Sequence, residues 1–277
     1  LTSAHELFHV AQKSTFWNYA KDKLAKPDEV AFKGSDRNTW IFEGAGSVWF
    51  EDEFKNSEKY YTHIQKNYTF HSLDEPNYYI WYGGIVFAKY LYTSYPNFFH
   101  KLFWLETDNF FAPEYSLRLL DRKLKQRDSS INLKKEYLEF LYQLNYKRSP
   151  DKINDILEWE KKGLLGDLAT SNLPNTATKH TPYTILKEKT LAHFSGTTIK
   201  LNTETGKIIL HFKGGKHPIS ASIYKVGATE QPTYIDGDSS PNNNTEFDVI
   251  LENEKSEVYI INITNPSFSD STTQAPY

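Results

Sequence analysis

Near residue 163 the hydrophobic rhythm of this chain changes from a helical to a strand period, so one type of element cannot account for the whole. Before that point, apolar and aromatic residues recur at helical intervals over 1–24, 40–54, 55–67, 77–94, 97–107, 113–126, 132–146 and 150–162. The last of these has clear boundary signals: Ser149 to cap, Pro150 for the first helical position and Gly163 just past the end. Beyond it, Thr197–Leu201, Lys207–Phe212, Ile219–Val226, Glu246–Leu251 and Glu257–Ile263 are short, rich in β-branched residues and separated by Gly, Pro and Asn clusters. The pattern predicts an α+β, multi-domain chain. A mainly helical part spans 1–163, a Gly-, Pro- and Asn-containing linker spans 164–183, and an antiparallel β-sandwich spans 184–277, with a flexible tail from Ser267.

Composition narrows the function. With 35 acidic and 32 basic residues among 277, the chain lacks the basic excess that nucleic-acid binding requires, so no nucleic-acid partner is expected. No apolar run is long enough to span a membrane: the most apolar helical stretch, Tyr78 to Tyr92, is interrupted by Gly83-Gly84. Cysteine is absent, which leaves His and carboxylates as the strong protein ligands for a transition metal.

Those ligands are arranged suggestively in His5-Glu6-Leu7-Phe8-His9. Residues four apart on a helix return to one face, so His5 and His9 can aim two imidazoles at one point with Glu6 beside it. A catalytic zinc needs a third protein ligand and an open position for water. Glu43, in Trp40-Ile41-Phe42-Glu43-Gly44-Ala45, is the best candidate; it opens a second helix, where the helix dipole also favours a carboxylate. In this arrangement zinc lowers the pKa of its water, and Glu6 takes the proton as that water attacks a peptide carbonyl. A Tyr or His donor commonly helps to hold the oxyanion; Tyr78, Tyr79, Tyr82, His63 and His71 are candidates, of which Tyr82, just before Gly83-Gly84, is favoured. Tyr82 also has an ordinary reading as part of an aromatic core.

The segment His5 to Gln12, followed by Trp40 to Ala45 and Trp49-Phe50-Glu51-Asp52, resembles the gluzincin zinc metallopeptidases, and in particular secreted bacterial families within them. The resemblance covers roughly residues 1 to 105. It implies that His5, His9 and Glu43 bind zinc, that Glu6 is the general base, and that the helical part is the C-terminal subdomain of a zincin fold. It further implies a secreted or cell-surface bacterial protein that cleaves protein or peptide substrates. Two departures stand out. Gluzincins carry a β-sheet subdomain ahead of the active-site helix, whereas this chain begins at Leu1 inside that helix, so a fragment or processed form is expected, with its own N-terminal part as a partner. The spacing from Glu43 to Glu51-Asp52 is also one residue longer than the pattern of those families, which leaves open which carboxylate orients a zinc-bound histidine.

In the strand-rich part, Asp236-Gly237-Asp238-Ser239-Ser240 with Asn242–Asn244 offers oxygen ligands at spacing suited to Ca2+, although a solvated hairpin loop explains it as well. His211 and His217 have no partner His at metal-binding spacing and read as structural or exposed. The alternative function is a degenerate peptidase whose β-domain binds a protein or glycan at a cell surface, with zinc kept for structure.

Overall fold

The computed structural model describes residues 7, 10, 73, 84–96, 116–153, 156–161, 163, 165, 169–172, 191, 193–214, 218–227, 232–236 and 246–268. Among them lie four α-helices, α1 (Ile85–Ser94), α2 (Ser116–Arg127), α3 (Leu133–Tyr142) and α4 (Ile156–Lys161), with a π-helical turn (Gln143–Lys147) extending α3. Seven strands follow: β1 (Ala169–Asn172), β2 (Gly196–Thr203), β3 (Gly206–Lys213), β4 (Ser220–Lys225), β5 (Thr233–Asp236), β6 (Glu246–Asn253) and β7 (Glu257–Thr264). The architecture is α+β, built from helices and largely antiparallel sheets. Apart from Leu7 and Val10, which are helical, the helices expected over 1–24, 40–54, 55–67 and 97–107 fall outside the described residues.

Each helix follows from its sequence. Leu117, Leu120 and Leu124 recur on one side of α2 and are buried, while Arg118, Arg122 and Lys125 stay exposed. Lys125 and Arg127 occupy its last turn, where the helix dipole favours cations. The start of α3 is capped twice. The Asn132 side chain accepts from Lys135 N at 2.9 Å, and Asp121 Oδ1 of α2 accepts from Leu133 N at 2.8 Å. Leu133, Tyr137, Leu138, Phe140, Leu141 and Tyr142 of α3 are all buried, so this helix is enclosed on more than one side. Toward α1, Phe140 and Tyr137 meet Phe87 edge-on, with ring centroids 5.0 and 5.7 Å apart.

The expected start of the last helix is displaced. Ser149 O accepts from both Lys152 N and Ile153 N, each at 3.1 Å, so Ser149-Pro150 begins a turn and α4 starts only at Ile156. The expected end is in place, since Gly163 adopts φ 66° just beyond Lys161.

The strands form a five-stranded sheet in the order β1-β2-β7-β4-β5 and a two-stranded sheet of β3 and β6. Five strands match the expected stretches to within two residues at each end. β1 lies inside the stretch expected as linker and pairs parallel to β2, and β5 comes in addition. In the larger sheet, Ile199, Leu201, Ala221, Ile223, Tyr259, Ile261 and Ile263 share one apolar core with Leu210 and Phe212 of β3. Phe247, Val249 and Leu251 of β6 pack against it.

The other face of the large sheet carries the alternate residues, and α3 lies across them. Gly196 permits the approach: a Cβ there would stand 2.4 Å from Leu141 Cδ1 and 2.7 Å from Ile263 O. At the far end of the helix, Asn145 Nδ2 donates to Thr198 Oγ1 at 3.0 Å, and Thr198 Oγ1 donates to Asn262 Oδ1 at 2.8 Å. Asn262 Nδ2 then donates to Ser222 Oγ at 3.0 Å, completing a chain from helix to β2, β7 and β4. Thr198, Asn262 and Ser222 are all buried, so each link satisfies a group that water cannot reach.

Gly196→Ala is expected to lower stability by about 2–3 kcal/mol, because one of the atoms met is backbone and cannot rotate aside. Urea unfolding of the two proteins, compared at equal m-value, checks this; an unchanged midpoint would show that α3 does not press on β2.

Candidate functional site

His5, Glu6, His9, Glu43 and Tyr82 lie outside the described residues, as do His217 and the loop 237–245 considered for Ca2+. Among the described residues, no group of three His, Asp or Glu side chains is arranged to hold a metal ion. His211 is half exposed, with Nδ1 2.6 Å from Asp248 Oδ1 and Nε2 3.0 Å from Glu246 Oε1. Both ring nitrogens thus face carboxylate oxygens on the surface of the two-stranded sheet.

The most unusual electrostatic arrangement among the described residues centres on Glu136 and Glu139. Three residues apart on α3, they project from one side of the helix. Tyr90 of α1 donates its hydroxyl to Glu136 Oε2 at 3.0 Å, and the Tyr95 hydroxyl just beyond α1 bonds to the same carboxyl. Burial pushes the Glu136 carboxyl above the ordinary carboxylate range, and the nearby charge of Glu139 adds to this. The two tyrosine hydrogen bonds and the charge of Lys152 pull the other way without cancelling it.

Burial, followed by the negative charges of Glu136 and Glu139, raises the Tyr90 hydroxyl well above its usual range. Burial and Glu136 likewise raise Tyr95. Both phenols therefore keep their protons and act as donors. Glu139 accepts from Gln143 Nε2 at 2.7 Å and from the hydroxyl of Tyr224 on β4. The pair joins α1, α3 and β4 through hydrogen bonds accepted from tyrosine hydroxyls.

Neither of two clefts lined by described residues includes Glu136 or Glu139. The first, of about 330 Å³, lies where the π-helical turn meets the end of β4. Its walls include Tyr142, Tyr146 and Tyr224, and the Tyr142 and Tyr224 rings stack with centroids 3.8 Å apart and planes within 7°. Lys225 on its rim is held by Glu257, 3.0 Å away. The second, of about 410 Å³, runs along Arg118, Arg122 and Lys125 of α2 and ends at Phe268, over whose ring the Arg118 guanidinium sits 5.3 Å from the centroid. The tyrosine–carboxylate network escaped the sequence reading. Its one visible sign is the pair of carboxylates spaced i, i+3 in an otherwise amphipathic helix, a pattern equally suited to a solvated face.

Among the described residues, no helix is long and apolar enough to cross a membrane. No protein-family model, curated protein or solved structure matches the chain.

The fold holds Glu136 with a carboxyl shifted upward, so folding favours its neutral form. That contribution is complete below the ordinary carboxylate pKa and is lost as pH rises through the raised value. Relative to Glu136→Gln, the native protein should lose stability as pH climbs above the ordinary carboxylate pKa of about 4, measured by urea unfolding at a series of pH values. Parallel pH profiles for the two proteins would contradict the assignment.

Proposed function

We propose that the chain is a zinc-dependent endopeptidase, with His5, His9 and Glu43 as the metal ligands and Glu6 as the general base. The observation that carries this reading is His-Glu-x-x-His followed by Glu43 among tryptophan, phenylalanine and glycine: two imidazoles and a carboxylate form a catalytic zinc donor set with one position left for water. Leu7 and Val10 support it, being helical as the pairing of His5 with His9 requires.

When bound, zinc supplies Lewis acidity, activating water and polarising a peptide carbonyl. Glu6 accepts the proton of the attacking water and returns it to the leaving amine. Tyr82 donates a hydrogen bond toward the carbonyl oxygen as negative charge develops there. On this reading 1–163 is the helical catalytic subdomain, 164–183 joins it to the strands, and 184–277 is an accessory β-sandwich in which β3 and β6 form the second layer. The resemblance to secreted bacterial gluzincins further supports protein or peptide substrates outside the cell. Ca2+ at 236–244 remains a secondary element of the proposal.

Zinc content and cleavage of a quenched peptide library test the proposal on the native chain, Glu6→Gln and Glu43→Gln. The native chain and Glu6→Gln should each retain about one zinc per chain. Cleavage should fall by about 10²–10⁴-fold in Glu6→Gln, while Glu43→Gln should lose metal as well as activity. Freshly purified native protein that neither contains zinc nor takes it up would overturn the reading, as would equal cleavage by native chain and Glu6→Gln.

A further inference from the structure

The two-stranded sheet turns one face into the apolar core and leaves the other to solvent. Along β3 the exposed positions are Lys207, Ile209, His211 and Lys213; along β6 they are Glu246, Asp248, Ile250 and Glu252. The antiparallel register pairs Lys207 with Glu252, Ile209 with Ile250, His211 with Asp248 and Lys213 with Glu246. Ile209 and Ile250 are therefore direct neighbours, and they remain 59% and 54% exposed. Directly opposed isoleucines at the middle of a strand pair form a contiguous apolar spot, unlike one isolated exposed side chain.

The charges around that spot are sorted by strand. β3 presents only basic side chains and β6 only acidic ones, with the isoleucine pair inside the ladder. Such a face is complementary to itself. Rotation by 180° about an axis lying in the face, parallel to the strands and midway between them, carries the β3 of one copy over the β6 of another. It leaves positions along the strands unchanged, so Lys207 meets Glu252 of the second copy, Ile209 meets Ile250, His211 meets Asp248 and Lys213 meets Glu246. Every residue then faces the type that it already accepts across the ladder, and the isoleucines of both copies close into one apolar centre.

We infer that this outer face of β3 and β6 is a self-association surface, whose occupant is a second copy of the same chain packed sheet face to sheet face. Charge complementarity selects that partner: a uniformly acidic or basic protein would satisfy one strand and repel the other. Two strands of this length offer a face of roughly 25 by 10 Å, well under the ~800 Å² per partner of stable complexes. The association is correspondingly weak, with a dissociation constant on the order of 10–1,000 μM.

Sedimentation equilibrium on the full chain between about 10 μM and about 1 mM tests it, together with two charge reversals, Lys207→Glu and Glu252→Lys. Each reversal alone places like charges across the interface and should weaken the dimer at least about tenfold. An equimolar mixture of the two variants restores opposite charges at both contacts and should recover the native dimer. Ile209→Thr with Ile250→Thr keeps strand-forming residues, removes the apolar centre and should leave a monomer with an unchanged circular dichroism spectrum. A native chain that stays monomeric throughout overturns the inference. A dimer indifferent to the reversals does so too, since that result assigns it to the strand edges or another surface. Variants that dimerise no better mixed than alone would likewise defeat it.

Discussion

The contact on which the rest of the described structure depends is the seating of α3 on the β2–β7–β4 face. It combines close approach with buried polarity. Gly196 lets the helix come within contact of the sheet, where Tyr137 and Leu141 fill the space that a side chain would take. Beyond that point, Asn145, Thr198, Asn262 and Ser222 pass hydrogen bonds from helix to sheet. Each such bond contributes about 1 kcal/mol net, whereas a buried group left without its partner costs about 1–3 kcal/mol. The polar chain therefore favours one register of helix on sheet more strongly than it adds to total stability. The same helix carries the opposite commitments: Phe140 and Tyr137 hold it to α1, and Glu139 reaches Tyr224 at its sheet side.

This seam also explains which parts of the fold were legible. In β3 and β6 the alternation of exposed and covered residues is plain, because one face meets water and the other meets the apolar core. In β2, β4 and β7 both faces are covered, yet the face beneath α3 bears Thr198, Ser222, Asn262 and Thr264. Period-2 reasoning assigns such polar positions to solvent, and only the helix above them makes them interior. β1 was hidden for a related reason: Ala169-Thr170-Ser171-Asn172 has little apolar signal and gains its strand state from pairing with β2. At α4, Ser149-Pro150 matched a helix start by type, but local hydrogen bonds made a turn first.

The candidate catalytic site shows the reverse situation. The chemistry proposed for it rests on the sequence alone, because ligand spacing on a helix depends on nothing beyond the helix itself and His5, Glu6 and His9 need no tertiary information to be proposed together. Glu43 and Tyr82 are assigned by wider context, and all five residues lie outside those that the structure describes. The Glu136–Tyr90–Tyr95 network is the opposite case. Nothing in Lys134-Lys135-Glu136-Tyr137 distinguishes a carboxyl on a solvated face from one buried under tyrosines of another helix. Long-range packing created that environment, and local sequence cannot report it.

If α3 and the sheet are one unit through this seam, they must open together. Native-state hydrogen exchange in low denaturant measures that directly, residue by residue. The backbone amides of α3 and of β7 should exchange with the same free energy and the same denaturant dependence, as parts of one cooperative opening. Amides of α3 that exchange at distinctly lower free energy and with a smaller denaturant slope than those of β7 would contradict it, since the helix would then leave the sheet without unfolding it.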